Sequence, residues 1–254
     1  MVILDVDGIE FAYDSSPVLD GVTFSVERGE LLAVIGPNGS GKSTLLQCLN
    51  RLHEPADGAI YIDGDDLESL NRDEVARTVG YVPQRETRMF SSTVYDTILL
   101  GRKPHVSWRV SEQDRTVVER IIEQLGLESL ALRPLDELSG GQRQKVLLGR
   151  ALAQEASVLL LDEPTSSLDM RHQLEVLELV TDQVTDGMAA VLAIHDLNLA
   201  MRFCDSIALL CENEIVAAGD PDMLTDELLA DVYNVEVTVT EHSGRPIVIP
   251  ERPL

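Results

Sequence analysis

The sequence predicts an α/β protein with a mostly parallel core sheet, an N-terminal antiparallel β subdomain and an inserted helical lobe. Three wholly apolar runs, at residues 31–35, 158–161 and 191–194, are typical of strands buried on both faces. Segments with helical periodicity alternate with these runs, which favours a parallel sheet covered by helices. Residues 2–26 instead alternate apolar with polar side chains, and residues 83–152 change to a helical character.

The N-terminal region is predicted to form short antiparallel strands. Apolar residues alternate with polar ones from Val2 to Val26, and three turn signals divide the alternation: Asp7-Gly8, Ser15-Ser16-Pro17 and Asp20-Gly21. Farther along the chain, we expect a strand at 59–62, a short helix at 72–78 and a strand at 79–82.

A glycine-rich loop follows the strand at 31–35 and precedes a predicted helix. The loop reads Gly36-Pro37-Asn38-Gly39-Ser40-Gly41-Lys42-Ser43-Thr44 and fits the phosphate-binding pattern G-x-x-x-x-G-K-[ST]. Its glycines let successive N–H groups face an anion at a helix N-terminus. Lys42 can reach the β- and γ-phosphates, and the Ser43 hydroxyl can bind Mg²⁺. The alternative is a chance glycine-rich turn, which the flanking strand and helix disfavour.

Two acids stand at the carboxyl end of the apolar strand at 158–161, where open α/β sheets place their ligands. Asp162 is suited to hold Mg²⁺, and Glu163 to point at the water that attacks a γ-phosphate. An acidic cap before a helix is the alternative explanation.

Two helices are predicted in the helical lobe. Ser111 can cap the first, which ends near Gly126, and the second follows Ser139 and runs to Leu152. The second helix begins in the pentapeptide Leu138-Ser139-Gly140-Gly141-Gln142, whose free N–H groups suit a phosphate. A simple capped helix would explain Ser139 but not the glycine pair in its first turn.

With this pentapeptide, the chain resembles the ATP-binding subunits of ABC transporters, whose signature is LSGGQ. The resemblance covers essentially residues 2–254 and implies that two ATP molecules lie between two subunits arranged head to tail. Ser139, Gly140, Gly141 and Gln142 of one subunit would then face the γ-phosphate bound by the other. The implied cofactors are ATP and Mg²⁺, and the implied activity is ATP hydrolysis.

Four further residues match elements of the family. Tyr13 matches the aromatic residue that stacks on adenine, although a core position on the Ile9–Phe11–Tyr13 face is the alternative. Gln84 matches the glutamine that touches Mg²⁺ or water, or else lies in a surface turn after Pro83. Asp169 matches the residue that organises the subunit contact, and His195 the histidine that contacts the γ-phosphate. The other histidines are expected at the surface: His53, His105, His172 and His242.

The composition limits the possible partners. The chain carries 44 acidic and 20 basic residues, for a net charge of −24. These dispersed acids indicate a solvated coat suited to concentrated salt, with a cation-binding surface as the alternative. Such a charge disfavours nucleic acid as a partner at low salt. Three cysteines without metal-like spacing indicate buried thiols in a reducing interior. No signal peptide is expected, nor any run near the ~20 apolar residues needed to cross a bilayer.

An ATPase of this family without a membrane span requires a permease. In the family, the permease docks between the helical lobe and the loop that carries the glutamine matched by Gln84, which corresponds here to residues 85–108. This segment and the tail resemble the importer branch for iron–siderophore, haem and cobalamin, which also implies an extracellular substrate-binding protein and a location at the cytoplasmic face of the membrane. An importer of different cargo and a soluble ATPase of iron–sulfur cluster assembly remain alternatives. A DNA-repair ATPase would need a long coiled coil between Gln84 and Leu138, where only some fifty residues lie. A translation factor would need two cassettes, and the chain has one. Both classes are therefore disfavoured.

We expect the ATP-binding domain to span residues 2–237, with the helical lobe at about 85–152, followed by a tail at 238–254. The tail region is expected to contain a helix at 222–233 and a polar hairpin around residues 242–245.

Overall fold

The computed structural model describes residues 1–84, 92–242 and 244–254. Within these ranges the strands are β1 (Val2–Tyr13), β2 (Ser16–Glu27), β3 (Leu31–Ile35), β4 (Asp57–Ile62), β5 (Asp65–Asp66), β6 (Val79–Val82), β7 (Val158–Asp162), β8 (Ala189–Ala193), β9 (Ser206–Cys211), β10 (Glu214–Gly219), β11 (Val235–His242) and β12 (Arg245–Pro253). The α-helices are α1 (Lys42–Leu49), α2 (Arg72–Thr78), α3 (Val94–Leu100), α4 (Glu112–Gln124), α5 (Gly140–Leu152), α6 (Met170–Thr185), α7 (Leu197–Phe203) and α8 (Asp226–Tyr233).

The core sheet has the strand order β10-β9-β3-β8-β7-β6. All neighbours in it are parallel except the edge strand β10, which is antiparallel to β9. The predicted mostly parallel core is therefore confirmed. The carboxyl ends of β3, β7 and β8 consequently lie at one edge of the sheet, and the phosphate loop, the two acids and His195 follow these strands there.

Both faces of the core sheet are covered, which explains its apolar strands. Alternate residues of β3 enter different cores, because successive side chains of a strand point to opposite faces. Leu31, Ala33 and Ile35 belong to the core that includes α5, α6 and α7, whereas Leu32 and Val34 belong to the core that includes α1 and the antiparallel sheet. Every residue of β3 is buried as a result.

The second sheet is antiparallel, in the order β2-β1-β4-β5. The prediction that Asp7-Gly8 and Asp20-Gly21 end short strands is wrong, because β1 and β2 run through both positions. The pairing register shifts on either side of Ile9, and Gly8 and Gly21 each have φ of +63°. The glycines thus accommodate β-bulges in two long strands, since a left-handed residue lets an extra residue bulge out of the ladder.

The helices between residues 92 and 152 are joined by one buried guanidinium. The Arg102 side chain donates to Asp114 Oδ1 at 3.0 Å, to the Ala153 carbonyl at 2.8 Å and to Glu155 Oε2 at 2.7 Å. Ser111 caps α4 and also bonds Asp114, which lowers the pKa of that carboxyl to about 2, with Arg102 contributing in the same direction. This network links the end of α3 to α4 and to the end of α5.

The C-terminal segment is a short helix followed by a hairpin. The helix α8 begins at Asp226, later than the expected residue 222, because Thr225 caps it by accepting from the Leu228 N–H at 3.2 Å. The strands β11 and β12 form the hairpin, in which Asn198 of α7 exchanges two hydrogen bonds with the Val248 backbone. The strand β11 crosses the expected boundary after residue 237.

None of the helices in the described ranges combines the length and the apolar composition that crossing a bilayer requires.

Candidate active site

The phosphate loop is held in a curl that only glycine permits at two points. Gly36 has φ of +149°, and a Cβ there would lie 2.0 Å from the Leu210 carbonyl oxygen. Gly41 has φ of +105°, and its Cβ would lie 2.8 Å from the Val18 carbonyl oxygen. The loop therefore packs its backbone directly against β2 and β9, and its curvature is fixed by those contacts.

Two polar residues of the phosphate loop, Lys42 and Ser40, are buried. The Lys42 ammonium donates to the carbonyls of Gly36 at 2.7 Å and Pro37 at 2.9 Å, and the residue is 5% exposed. Burial lowers the pKa of Lys42, while Glu163 and Asp162 act to raise it. Among the described residues, the buried Ser40 hydroxyl has no hydrogen-bond partner. A cation and an unpaired buried hydroxyl in one loop suit an anionic ligand.

Asp162, at the end of β7, links the core sheet to the start of α1. Its Oδ1 accepts from the Ser43 hydroxyl at 2.9 Å, and its Oδ2 accepts from the Tyr81 hydroxyl at 3.4 Å. Burial raises the pKa of Asp162, and the bond from Ser43 opposes that shift. A hydroxyl and a carboxylate are hard oxygen ligands of the kind Mg²⁺ uses together with substrate phosphates. The donor set therefore fits that ion.

Glu163 lies between the side chains of Gln84 and His195. Its carboxylate is hydrogen-bonded to Gln84 Nε2 on one oxygen and to His195 Nε2 on the other. Its backbone has φ of +48°, and its N–H donates to the Ala193 carbonyl at 3.0 Å. The side chain is 12% exposed, whereas that of His195 is 41% exposed. Side chains that follow three neighbouring strands, β6, β7 and β8, thus meet at the Glu163 carboxylate.

The signature pentapeptide forms the capped start of α5. The Ser139 hydroxyl accepts from the Gln142 N–H at 3.3 Å, and Gln142 Oε1 accepts from the Ser139 N–H at 3.1 Å. Ser139 and Gly140 are exposed, but Gly141 is buried. A Cβ at Gly141 would lie 2.3 Å from the imidazole of His172.

Asp169 lies beside this helix start through the same histidine. Its Oδ1 accepts from the backbone N–H of His172 at 3.0 Å and from His172 Nδ1 at 2.7 Å. The backbone bond is the main cause of a lowered pKa at Asp169, and the side-chain bond adds to it. The structure therefore brings together two motifs that are 27 positions apart in the chain (142 and 169), on an exposed surface.

Tyr13 lies at the end of β1 and is 46% exposed, so it is not a core residue. Its hydroxyl is 2.9 Å from His53 Nε2.

Apart from Tyr13, the predicted site residues fall into two groups. The phosphate half comprises the loop 36–44 with Gln84, Asp162, Glu163 and His195, which are linked by the bonds above. The signature half comprises residues 139–142 with Asp169. Within the described part of the chain, no hydrogen bond joins the two halves.

Sequence reasoning overlooked several side chains. Of the four histidines expected at the surface, His53 and His172 are only partly exposed and pack against Phe11 and Gly141. The sequence analysis also overlooked Tyr81 and Tyr233. The hydroxyl of Tyr233, in α8, is buried and faces the backbone of Gly36, and burial raises the pKa of Tyr233 to about 12. The spacing of His172 three residues after a capping Asp was the one available signal.

Comparisons with known proteins agree over nearly the whole chain. The family model described as ABC transporter matches residues 19–166. An uncharacterized ABC transporter ATP-binding protein of Methanocaldococcus jannaschii is 44% identical over 251 residues, 98% of each chain. The cobalamin import ATP-binding protein of Halobacterium salinarum is 41% identical over 93% of this chain and 60% of its own length. The hemin import ATP-binding protein of Rhodococcus jostii is 39% identical over 99% of this chain and 87% of its own length.

Two solved structures have the same fold. A chain of a metal-chelate type ABC transporter in an inward-facing conformation is 30% identical, with a TM-score of 0.86 and coverage of 99% of this chain and 98% of that chain. A dimeric ATP-binding cassette in a post-hydrolysis state, bound to ADP and Pi, is 27% identical, with a TM-score of 0.76 and coverage of 86% and 99%.

Proposed function

The chain belongs to the ABC transporter family and is an ATPase with that family's cassette fold, and from this premise we propose that it powers the import of a metal chelate. The proposed cargo class is iron–siderophore, haem or cobalamin. The chain would act as a head-to-tail dimer beneath a permease at the cytoplasmic face of the membrane. An extracellular binding protein would deliver the cargo.

The names of the relatives support the proposed class of cargo. The relative from Halobacterium salinarum is named for cobalamin import and that from Rhodococcus jostii for hemin import. Both molecules are metal ions held in a macrocycle, and the similar solved structure is of the metal-chelate type. An importer of other cargo is the first alternative, and a soluble ATPase of iron–sulfur cluster assembly is the second.

The exposure of the signature half supports the proposed dimer. Ser139, Gly140 and Asp169 face outward, and the phosphate half has its own bonds without them. A dimeric cassette with bound ADP and Pi has a similar fold. In the proposed arrangement, Ser139 and Gly141 of the partner subunit face the γ-phosphate on residues 36–44, and Gly140 and Gln142 of the partner subunit shape that surface.

The proposed mechanism uses the phosphate half for chemistry. The amides of residues 36–44 and Lys42 bind the β- and γ-phosphates, and Tyr13 stacks on the adenine. Glu163 accepts a hydrogen bond from the attacking water and takes its proton, while Gln84 and His195 orient the carboxylate. Lys42 and His195 then stabilise the charge on the transferred group. Ser43, Asp162 and Gln84 would hold Mg²⁺, which would supply positive charge to the phosphate groups.

An open cleft is the proposed docking site for the permease. It has a volume of about 670 Å³ and lies between α2, the end of α3 and α5. Leu52 and Leu100, which are 59% and 54% exposed, line it. Exposed apolar side chains around a cleft favour an interaction site. Residues 92–108 of the segment expected to dock include Leu100, and residues 85–91 lie outside the described residues.

Two further expectations remain proposals. We propose that the acidic coat adapts the protein to high salt, so that its melting temperature rises in molar KCl; a flat or falling melting temperature would contradict this. We also retain an ATP-binding domain at 2–237 that includes the helical lobe at 85–152. The tail at 238–254 is proposed to fold with it, because Val237 and Val248 are buried in the same core.

Co-purification from the native membrane tests the transport function. A tagged chain expressed from its own locus should recover a polytopic permease in mild detergent, together with an extracellular binding protein. That binding protein should then bind a corrinoid, haem or ferric chelate. The Leu100→Glu variant should lose the permease, whereas Leu132→Glu, at an 81% exposed position away from the cleft, should retain it. A soluble partner, or recovery of no permease, would contradict the transport function.

A further inference from the structure

A histidine at the end of the phosphate-loop helix contacts the aromatic residue proposed for adenine. His53 follows α1 by four residues, and its backbone N–H donates to the Gln47 carbonyl at 3.2 Å. Its Nε2 lies 2.9 Å from the Tyr13 hydroxyl. The residue that would bind the base is therefore linked, through His53, to the helix that begins with the phosphate-binding Lys42.

Ring packing reinforces this bond. The imidazole of His53 stacks on Phe11 with centroids 5.0 Å apart and planes 24° from parallel. The Tyr13 ring meets Phe11 edge to face at 4.9 Å and meets His53 edge to face at 5.4 Å. Both distances lie in the range of favourable aromatic pairs. Three rings thus form one cluster, the aromatic triad, in which Tyr13 is the exposed member.

The triad restricts the Tyr13 side chain before any ligand arrives. An exposed tyrosine at the end of a strand would otherwise sample several rotamers, and binding would have to select one of them. Here the hydroxyl is bonded and the ring contacts two other rings, while 46% of the residue stays exposed. The exposed part of the ring is left for another flat group to cover.

We propose that His53 is a positioning residue that orients Tyr13 for stacking on the adenine of ATP, with Phe11 as its platform. The proposal rests on the adenine role of Tyr13 in the proposed function. It assigns His53 no contact with the phosphates and no part in the chemical step. Its effect should therefore fall on the share of affinity that comes from the base.

A comparison of ATP with tripolyphosphate isolates the contribution of the base to affinity, because tripolyphosphate carries the phosphates of ATP without the base. In the His53→Ala variant, the Kd for ATP should rise about two- to tenfold, the usual range for one hydrogen bond. The Kd for tripolyphosphate should stay unchanged. The KM for ATP should rise with kcat unchanged at saturation, since the interaction is made equally in the ground and transition states.

The Tyr13→Phe variant provides a second route to the same bond, because it keeps the ring and removes only the hydroxyl. It should raise the Kd for ATP by no more than His53→Ala does, because His53→Ala also removes two ring contacts. The double variant should be no weaker than His53→Ala alone, since the bond that Tyr13→Phe removes is already absent there. His242→Ala, at an exposed histidine of the hairpin, is the matched control and should leave both Kd values unchanged.

The possible failures are distinguishable. If Tyr13→Ala leaves the Kd for ATP unchanged, the adenine role of Tyr13 is wrong and so is the inference. If Tyr13→Ala weakens ATP binding but His53→Ala and Tyr13→Phe do not, only the positioning role is wrong. Equal weakening of ATP and tripolyphosphate would show that His53 acts on the phosphate loop through α1, which also overturns the inference. Thermal unfolding of each variant checks that it is folded.

Discussion

The two halves of the candidate site are built in opposite ways. In the phosphate half, Lys42 and Asp162 are 5% and 3% exposed, and Ser43 bonds Asp162 across 119 positions of sequence. In the signature half, Ser139 and Asp169 are exposed, and each bonds a residue three positions away. One half is assembled by long-range packing, whereas the other is shaped by local capping.

This difference indicates what each half can do alone. A buried cradle with a cation and an unpaired hydroxyl can hold an anion within one subunit. A capped helix start on an open surface has free N–H groups, which suit a ligand presented by another surface, as in the proposed dimer. Changes in the two halves should therefore have separable effects.

The Glu163→Gln change should have the largest effect. It replaces the carboxylate proposed to accept a proton from water with an isosteric amide, so phosphate release should fall about a hundredfold or more. The Kd for ATP should stay within about twofold, because the phosphate loop is unaltered. Glu212→Gln, also at a non-glycine position with positive φ, is the control and should retain activity. A large loss of ATP affinity in Glu163→Gln would contradict a separate chemical role.

A mixing experiment can break the comparison directly. Lys42→Ala damages only the phosphate half, and Ser139→Arg only the signature half, so each variant alone should be inactive. In a mixture, a head-to-tail heterodimer pairs the intact phosphate half of one chain with the intact signature half of the other. At equal amounts, hydrolysis should recover to about a quarter of the wild-type rate, since half of the dimers have one of two sites intact. No recovery would mean that each chain completes its own site.

Removing the guanidinium that supports α5 should destabilise the lobe carrying the signature half. Arg102→Leu leaves the carboxylate of Asp114 buried without its cation, which should lower the free energy of unfolding by about 3 kcal/mol in urea titration. Arg115→Leu, which breaks an exposed pair with Glu112, should cost less than about 1 kcal/mol. Equal costs would show that the buried network contributes no more than a surface pair.

The adjacent glycines of the signature half should respond differently to alanine. Gly141→Ala would place a Cβ 2.3 Å from the His172 ring, so the helix start must shift, at a cost of about 1–3 kcal/mol. Gly140→Ala meets only Leu168, at 4.0 Å, and should not lower the melting temperature. Calorimetry on the two variants measures this difference. Matching melting temperatures would mean that His172 does not constrain the helix start.

The smallest predicted effect concerns pH. The folded pKa of Asp114 is about 2, lowered by its bonds to Ser111 and Arg102, whereas an unfolded Asp titrates near pH ~4. Its contribution is present above the unfolded pKa and is lost as pH falls through the folded one. The stability difference between the wild type and Asp114→Asn should therefore shrink from pH 5 toward pH 3 in urea unfolding. A constant difference would contradict this linkage.

The motifs and the periodic elements were predictable because their causes are local. The apolar strands at 31–35 and 158–161, the caps at Ser111 and Ser139 and the phosphate-loop pattern each depend on residues within a few positions of one another. They predicted the parallel core, which the strand order confirms, and they indicated which side chains would stand at its carboxyl edge. The roles of those side chains remain predictions.

What the tertiary structure alone decided are contacts between residues far apart in the chain. His53 reaches Tyr13 across 40 positions, and Tyr233 of α8 reaches the Gly36 backbone. The bulges at Gly8 and Gly21 likewise depend on how β1 and β2 pair. A sequence pattern records the preferences of neighbouring residues, whereas such contacts depend on the packing of whole sheets and helices. The sequence therefore determined the chemistry available to this ATPase, and the packing decided which side chains support it.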